Sequence, residues 1–410
     1  MAMNHRERAR LILNHCEADR PAIDLGSTIV GGTSAWTYRA LKGALGRPCE
    51  RVRVGEMFQM LAEVETDVLD ALGADFAMLP KEERLLGLAY GQWRPYTFWD
   101  GQTFDVPANF APQVTPEGAL EIASAPGGPL THRLPKGGWF FDLIPGERQD
   151  SFEIPHIPES EWTFTESLTD EFLSREEERA HTLYQATDRA LVAWSPVLVP
   201  LGYGGLYQWA MKMATEPEHC RAYMVRAGEA AARCIGQYLQ AVGDYIDVII
   251  VNLADFGAQD REMFRPALFH EFFVPSWKLV TDAVHHFPRV KTFSHCCGSV
   301  PHLIADFIAA GIDCLNPVQW TAAGMDLRWL KQTYGDKLVF WGGAISTQRT
   351  FPHGTPEEVV REAREVLEVL APGGGFVVNP IHNVLPEVPV ENVLALYRTA
   401  QEYRYAAQRA

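Results

Sequence analysis

His295 and Cys297 close a short apolar run, Lys291-Thr292-Phe293-Ser294-His295-Cys296-Cys297-Gly298, and stand two residues apart. On an extended backbone, side chains two apart point the same way. An imidazole and a thiol on one side can then reach a single ion, and that is a ligand pair zinc favours. Alone, the His-x-Cys spacing is a weak signal, because seven cysteines in 410 residues make such pairs by chance. Its weight comes from the polar residues that end the other apolar runs.

Those runs define the elements that must carry the chemistry. Strand-length apolar stretches at residues 246–252, 291–295, 312–317, 338–341 and 376–379 alternate with helical segments near 266–285, 300–310 and 326–334. Thr355-Pro356-Glu357-Glu358 supplies a cap, a first-turn proline and a capping-box glutamate. The helix it opens puts Val359, Val360, Ala363, Val366, Leu367 and Leu370 on one face. A last helix spans about residues 390–407. Earlier strands are expected at 76–79 and 191–201, with another at 21–25. Buried strands separated by helices predict a parallel sheet with helical crossovers. Seven or eight such units, with no Gly-x-Gly-x-x-Gly after the first strand, favour an α/β (β/α)8 TIM barrel over a dinucleotide fold. The expectation is a single domain over residues 1–410 with an N-terminal helical extension. Residues 85–160, rich in Trp, Pro, Gly and Thr, are expected to form an inserted β-hairpin region over the barrel mouth.

Parallel barrels place their chemistry at the C-terminal ends of the strands. Those ends read Asn252 and Asp255, then His295 and Cys297, Asn316 and Gln319, Gly342-Gly343, and Asn379 with His382. In a barrel, His382 completes a His/Cys/His set with Asp255 or a water as fourth ligand, the open arrangement of catalytic zinc. Plainer roles compete. A strand-end histidine also serves as a hydrogen-bonded structural residue, and Asn316 and Gln319 can simply hold the following loop. Cys296 faces the wall, and Gly373-Gly374-Gly375 reads as a helix C-terminal turn. Trp93, Trp99 and Trp139 suit either an aromatic ligand or a staple for the insertion.

Composition narrows the function classes. A net charge of -16 with no basic run argues against nucleic acid and anionic membranes. Neither a signal-peptide core nor a membrane-length apolar stretch is present, and seven scattered cysteines fit a reducing cytoplasm. Cys16, Cys49, Cys220, Cys234 and Cys314 are expected as small core residues.

The same segments resemble the uroporphyrinogen decarboxylase superfamily. The resemblance rests on Phe293-Ser294-His295-Cys296-Cys297-Gly298, Leu315-Asn316-Pro317-Val318-Gln319 and Phe340-Trp341-Gly342-Gly343-Ala344. Further matches are Gly354-Thr355-Pro356-Glu357-Glu358-Val359 and His382-Asn383-Val384-Leu385-Pro386-Glu387-Val388-Pro389. It is dense from about Asn252 onward and thinner through residues 14–26. It implies a (β/α)8 barrel with a deep cleft at its C-terminal face, and one of two chemistries. Decarboxylases of the superfamily carry arginines soon after an N-terminal Arg-Pro, to bind tetrapyrrole propionates. Here Arg20-Pro21 is followed by Ala22-Ile23-Asp24-Leu25-Gly26-Ser27, with none. The other branch comprises zinc-dependent methyltransferases of corrinoid systems, whose His-x-Cys pair matches His295 and Cys297.

In the coenzyme M methyltransferases of that branch the later ligand is a Cys seven residues before a Pro, and here the position is His382. The resemblance therefore leans towards enzymes that demethylate a donor, such as methyl aryl ethers. It implies Zn2+ held by His295, Cys297 and His382, with Asp255 as fourth ligand or proton donor. Asn252, Gln259, Asn316 and Gln319 would orient a small methylated substrate, and Trp93 would suit an aromatic one. No Asp-x-His-x-x-Gly signature occurs, so the cobalamin (corrinoid) acceptor would ride on a separate partner protein. A homodimer is left open. Two other readings keep the fold. One is a metal-free decarboxylase or lyase using Asp255 and His382 as an acid-base pair, the other a non-catalytic corrinoid or porphyrin binder.

Overall fold

Eight short apolar segments form the frame: β1 (Ala22–Ile23), β2 (Phe76–Met78), β3 (Ala190–Trp194), β4 (Val248–Asn252), β5 (Lys291–His295), β6 (Cys314–Asn316), β7 (Val339–Trp341) and β8 (Phe376–Val378). The structure is a computed structural model that describes residues 3–80, 83–84, 86, 88–89, 91–125, 127–144 and 154–405. The strands pair in the order β1-β8-β7-β6-β5-β4-β3-β2, each neighbour parallel. Helices cover the outside, so both faces are buried and the strands read as continuous apolar runs without alternation. This is the expected (β/α)8 barrel, nearly closed.

Between β1 and β2 the barrel is joined by one residue rather than a ladder. Asp75 donates its backbone N–H to the Ile23 carbonyl at 2.7 Å, and its carboxylate accepts the Ile23 N–H at 2.8 Å. The same fully buried carboxylate takes Arg20 at 2.7 Å, Arg8 at 2.8 Å and His5 at 2.8 Å. Arg8 and His5 belong to the N-terminal helix His5–Leu13, whose capping box uses Asn4 and Glu7. The helix is thereby bolted across the N-terminal end of the barrel, the end that serves stability in this architecture.

Antiparallel structure fills the connection from β2 to β3. A hairpin pairs Trp93–Thr97 with Thr103–Pro107, and a four-stranded sheet follows from Gln113–Val114 to Asp142–Leu143. Residues 85, 87, 90, 126 and 145–153 of the expected insertion lie outside the described residues. Trp36, on the helix Ala35–Ala44, meets Trp99 at 5.6 Å and Trp139 at 5.2 Å between ring centroids. Trp99 and Trp139 thus staple the insertion to the barrel's first helix.

Four local expectations need correcting. The segment 266–285 is not one helix: Pro266–Leu268 passes through a π-helical turn, Phe269–Phe273, into Val274–His285. Pro275 lacks the N–H that a continuous α-ladder would need, and the wider turn accommodates its ring. The strand expected over 191–201 ends at Trp194, where Ser195 and Pro196 turn the chain. Cys16 is exposed and Cys49 half-buried, whereas Cys220, Cys234 and Cys314 are core residues as expected. All seven cysteines are free. The C-terminal helix is Val390–Glu402, and residues 406–407 of its expected span lie outside the described residues. Among the described residues no helix is long and apolar enough to cross a membrane.

Burial by itself would raise the Asp75 carboxyl, but His5, Arg20 and Arg8 outweigh it and hold it below its ordinary value. Asp75→Asn leaves two buried guanidinium groups short of their counter-ion and is expected to cost about 3–5 kcal/mol at neutral pH. Because the folded-state value is depressed, the carboxylate's contribution is present above about pH 4 and is lost as pH falls below it. Urea unfolding of both proteins should therefore show a gap that is widest near neutrality and narrows in acid. A gap independent of pH would contradict this role.

Candidate metal centre

The backbone beyond β5 carries His295 and Cys297 to one side, as the two-residue spacing requires. Cys297 Sγ lies 3.4 Å from His295 Nε2. Between them Cys296 turns into the wall, 1% exposed, where its sulfur accepts the Phe256 N–H at 3.2 Å. The turn is held from the two neighbouring strand ends, those of β4 and β6. Asn252 donates to the His295 carbonyl at 2.9 Å, the Cys296 N–H reaches the Asn316 carbonyl at 2.7 Å, and Asp255 Oδ1 accepts the Cys297 N–H at 2.7 Å. Gly298 then turns back with φ +93°, against Gly257 of the preceding loop. A Cβ on Gly298 would stand 2.4 Å from the Gly257 carbonyl group. The two glycines let the loops cross, and the crossing brings Asp255 beside Cys297.

His382 arrives from the loop after β8 and is flanked by two buried asparagines. Asn379 donates to the carbonyls of Asp24 and Gly31, both at 3.2 Å. Asn383 accepts the Gly32 N–H at 2.6 Å and donates to the Ile29 carbonyl at 2.9 Å and to Gln59 Oε1 at 2.7 Å. Clamped to the loop after β1, the His382 ring stands 5.6 Å from that of His295, centroid to centroid. One donor atom each from His295, Cys297 and His382 lies within 4.8 Å of the others.

Protonation suits this set to a cation. Asn316 Nδ2 donates to the Trp341 carbonyl, so its Oδ1, 2.6 Å from His295 Nδ1, must accept. His295 therefore carries its proton on Nδ1 and presents a lone pair on Nε2 towards Cys297. Burial disfavours its charged form and lowers its pKa, against the opposing pull of Asp255 and Asn316. Burial, and then the neighbouring His295 ring, push His382 down to about 3, leaving a neutral imidazole. The Cys297 thiol is pushed well above its ordinary range by burial, with Asp255 and Cys296 adding to it. Two neutral imidazoles and a thiol that needs a positive charge to ionise make a donor set that fits zinc.

The other expected site residues fall into two groups. Asp255, with its side chain 44% exposed, is open to solvent, and its Oδ1 lies 3.5 Å from His295 Nε2. Gln259 is exposed and accepts from Gln319 Nε2 at 3.3 Å. Asn252, Asn316 and Gln319 are buried, with bonds that run to the chain itself; Gln319 Oε1 holds the Gly298 N–H at 2.7 Å. Trp93 sits on the insertion hairpin with the Arg53 guanidinium 5.6 Å from its ring centroid. Asn383, Gly257 and the orienting role of Asn316 were not foreseen. Each acts through a partner distant in sequence, and only the Asn at the end of β6 left a trace in the strand-end pattern.

Residues 172–403 match the family described as uroporphyrinogen decarboxylase (URO-D). A uroporphyrinogen decarboxylase of Magnetococcus marinus is 27% identical over 141 residues, which cover 33% of this chain and 36% of the relative. One from Pseudoalteromonas translucida is 30% identical over 95 residues, 23% of this chain and 25% of that one. The chain thus aligns with only about a third or less of each relative's length. A solved structure, a methyltransferase from Methanosarcina mazei, superposes over 98% of this chain and 99% of its own with a TM-score of 0.56 and 15% identity. That likeness is one of fold.

Gly298→Ala tests the loop crossing. Backbone at positive φ and the clash with Gly257 together should cost about 1–3 kcal/mol or more, read as a lower denaturation midpoint. Alkylation of Cys297 should also change rate as its turn shifts. An unchanged midpoint and an unchanged alkylation rate would contradict the packing described.

Proposed function

Starting from the chain's membership of the uroporphyrinogen decarboxylase family, we propose that it is a zinc-dependent methyltransferase. It would move a methyl group from a small donor, a methoxylated aromatic compound being the best fit, to the Co(I) corrinoid of a separate protein. The observation that carries this reading is the neutral, half-enclosed His295/Cys297/His382 set at the C-terminal ends of the strands. Acid-base chemistry alone gives no reason to gather two uncharged imidazoles and a thiol there. The absence of arginines after Arg20-Pro21 removes the propionate-binding feature that a tetrapyrrole decarboxylase would use.

His295 through Nε2, Cys297 through Sγ and His382 would hold the ion. Bound there, zinc supplies Lewis acidity to the ether or amine heteroatom that the methyl group leaves. Asn316 keeps the His295 tautomer correct, and such outer partners typically change affinity by about 10–100-fold. Asp255 is the group we assign to the proton the departing heteroatom must gain, since it faces the open side within reach of the same ring. Gln259, exposed four residues further along the same loop, is the assigned substrate contact. Asn252, Asn316 and Gln319 work by holding the loops.

Decarboxylation is the second reading, supported by the names of the two curated relatives. One assay separates them. Zinc-loaded protein, a methoxylated benzoate and free Co(I) cobalamin should consume the Co(I) absorbance and release the phenol. Cys297→Ser should slow this by about 100-fold or more, several kcal/mol of lost charge stabilisation. Carbon dioxide release without corrinoid, unaffected by Cys297→Ser, would replace this reading with the decarboxylase.

A further inference from the structure

Outside the barrel a second group of metal-binding side chains gathers where the segment 154–162 crosses the start of the long helix Pro217–Val242. His156, Glu216 and His219 place one donor atom each within 4.8 Å of one another. Glu216 caps the start of that helix and His219 lies in its first turn, which brings their donor atoms together. His156 reaches them from the other segment, its Nδ1 2.6 Å from Glu216 Oε2 and its ring 4.3 Å from that of His219 between centroids.

Half of the group is already fixed. Lys212 binds the other carboxylate oxygen of Glu216 at 2.7 Å and leaves Oε2 to face the histidines. The Tyr203 hydroxyl lies 2.9 Å from His219 Nε2, and Trp162 packs edge-on against the same ring at 5.4 Å. A partner on one ring nitrogen is how metal-bound imidazoles are commonly oriented. His156 is exposed to solvent. Two imidazoles and one carboxylate make a His2Glu donor set, which binds zinc and similar divalent transition ions and leaves a position for water.

We propose that His156, Glu216 and His219 form a second, independent site for a divalent transition metal, with zinc the best match. The ion ties the segment 154–162, which leads out of the insertion, to the long helix Pro217–Val242 between β3 and β4. The site shares no residue with the strand-end centre, so its occupancy does not depend on the chemistry assigned there.

The test is made in the Cys297→Ala/His382→Ala background, where the strand-end set is dismantled. Equilibrium dialysis against zinc should give one ion per chain. His156→Ala or His219→Ala added to that background should weaken binding by at least about 100-fold, because losing an outer partner alone costs about 10–100-fold. Tyr203→Phe should weaken it less. As a check on the unaltered protein, zinc should slow protease cleavage within 154–162, and His156→Ala should abolish the protection. No zinc in the background, zinc retained after His156→Ala, or cleavage indifferent to zinc would each overturn the proposal.

Discussion

The hydrogen bond between His295 Nδ1 and Asn316 Oδ1 is the constraint on which the candidate centre depends. It joins the ends of two adjacent strands, β5 and β6, and commits the imidazole to one tautomer. Because the amide's other end is spent on the Trp341 carbonyl of β7, three consecutive strand ends are locked together through one side chain. The free nitrogen of His295 then has only one direction in which to work, towards Cys297 and His382. A barrel supplies the convergence of strands, and this bond converts convergence into a defined donor direction.

Stability and chemistry are divided between the two ends of the barrel. At the N-terminal end a single buried carboxylate, Asp75, satisfies two arginines, a histidine and a backbone N–H, and it seals the seam between β1 and β2. At the C-terminal end the buried polar groups include five amides, Asn252, Asn316, Gln319, Asn379 and Asn383, and the fully buried Asp24 carboxyl just past β1, which burial pushes up. Amides fix loops without adding charge, and burial is the largest influence lowering His295 and His382. That keeps both rings neutral, with the Asp255 carboxyl exposed beside the His295 ring. A cation entering there meets lone pairs and a carboxylate.

Much of this was legible in the chain because parallel strands carry a strong signal. Runs such as Ile246 to Asn252 or Phe376 to Asn379 are apolar on both faces, and the polar residue that ends each one marks the functional end of the barrel. All eight strands lie within apolar runs visible in the sequence, though the run expected over 191–201 overran its strand by seven residues. His295, Cys297 and His382 could be named because two ended strands and the third closed a motif. Features that depend on a distant partner left no local trace. The π-helical turn needs knowledge of where Pro275 falls within a helix already formed. The Asn383 clamp joins residues more than three hundred positions apart. Gly257 matters only because Gly298 crosses it. The burial of Asn252 and Asn316, residues that could equally have faced a substrate, follows from hydrogen bonds that strand periodicity does not encode.

The most direct test of the central claim is the absorption spectrum of the protein loaded with cobalt(II) in place of zinc. Ligation by Cys297 predicts a thiolate-to-metal charge-transfer band in the near ultraviolet, together with visible bands of a four-coordinate ion. That band should vanish in Cys297→Ala, and its visible companions should shift in His382→Ala. A wild-type protein without the charge-transfer band, or a band that survives Cys297→Ala, would contradict the His295/Cys297/His382 centre.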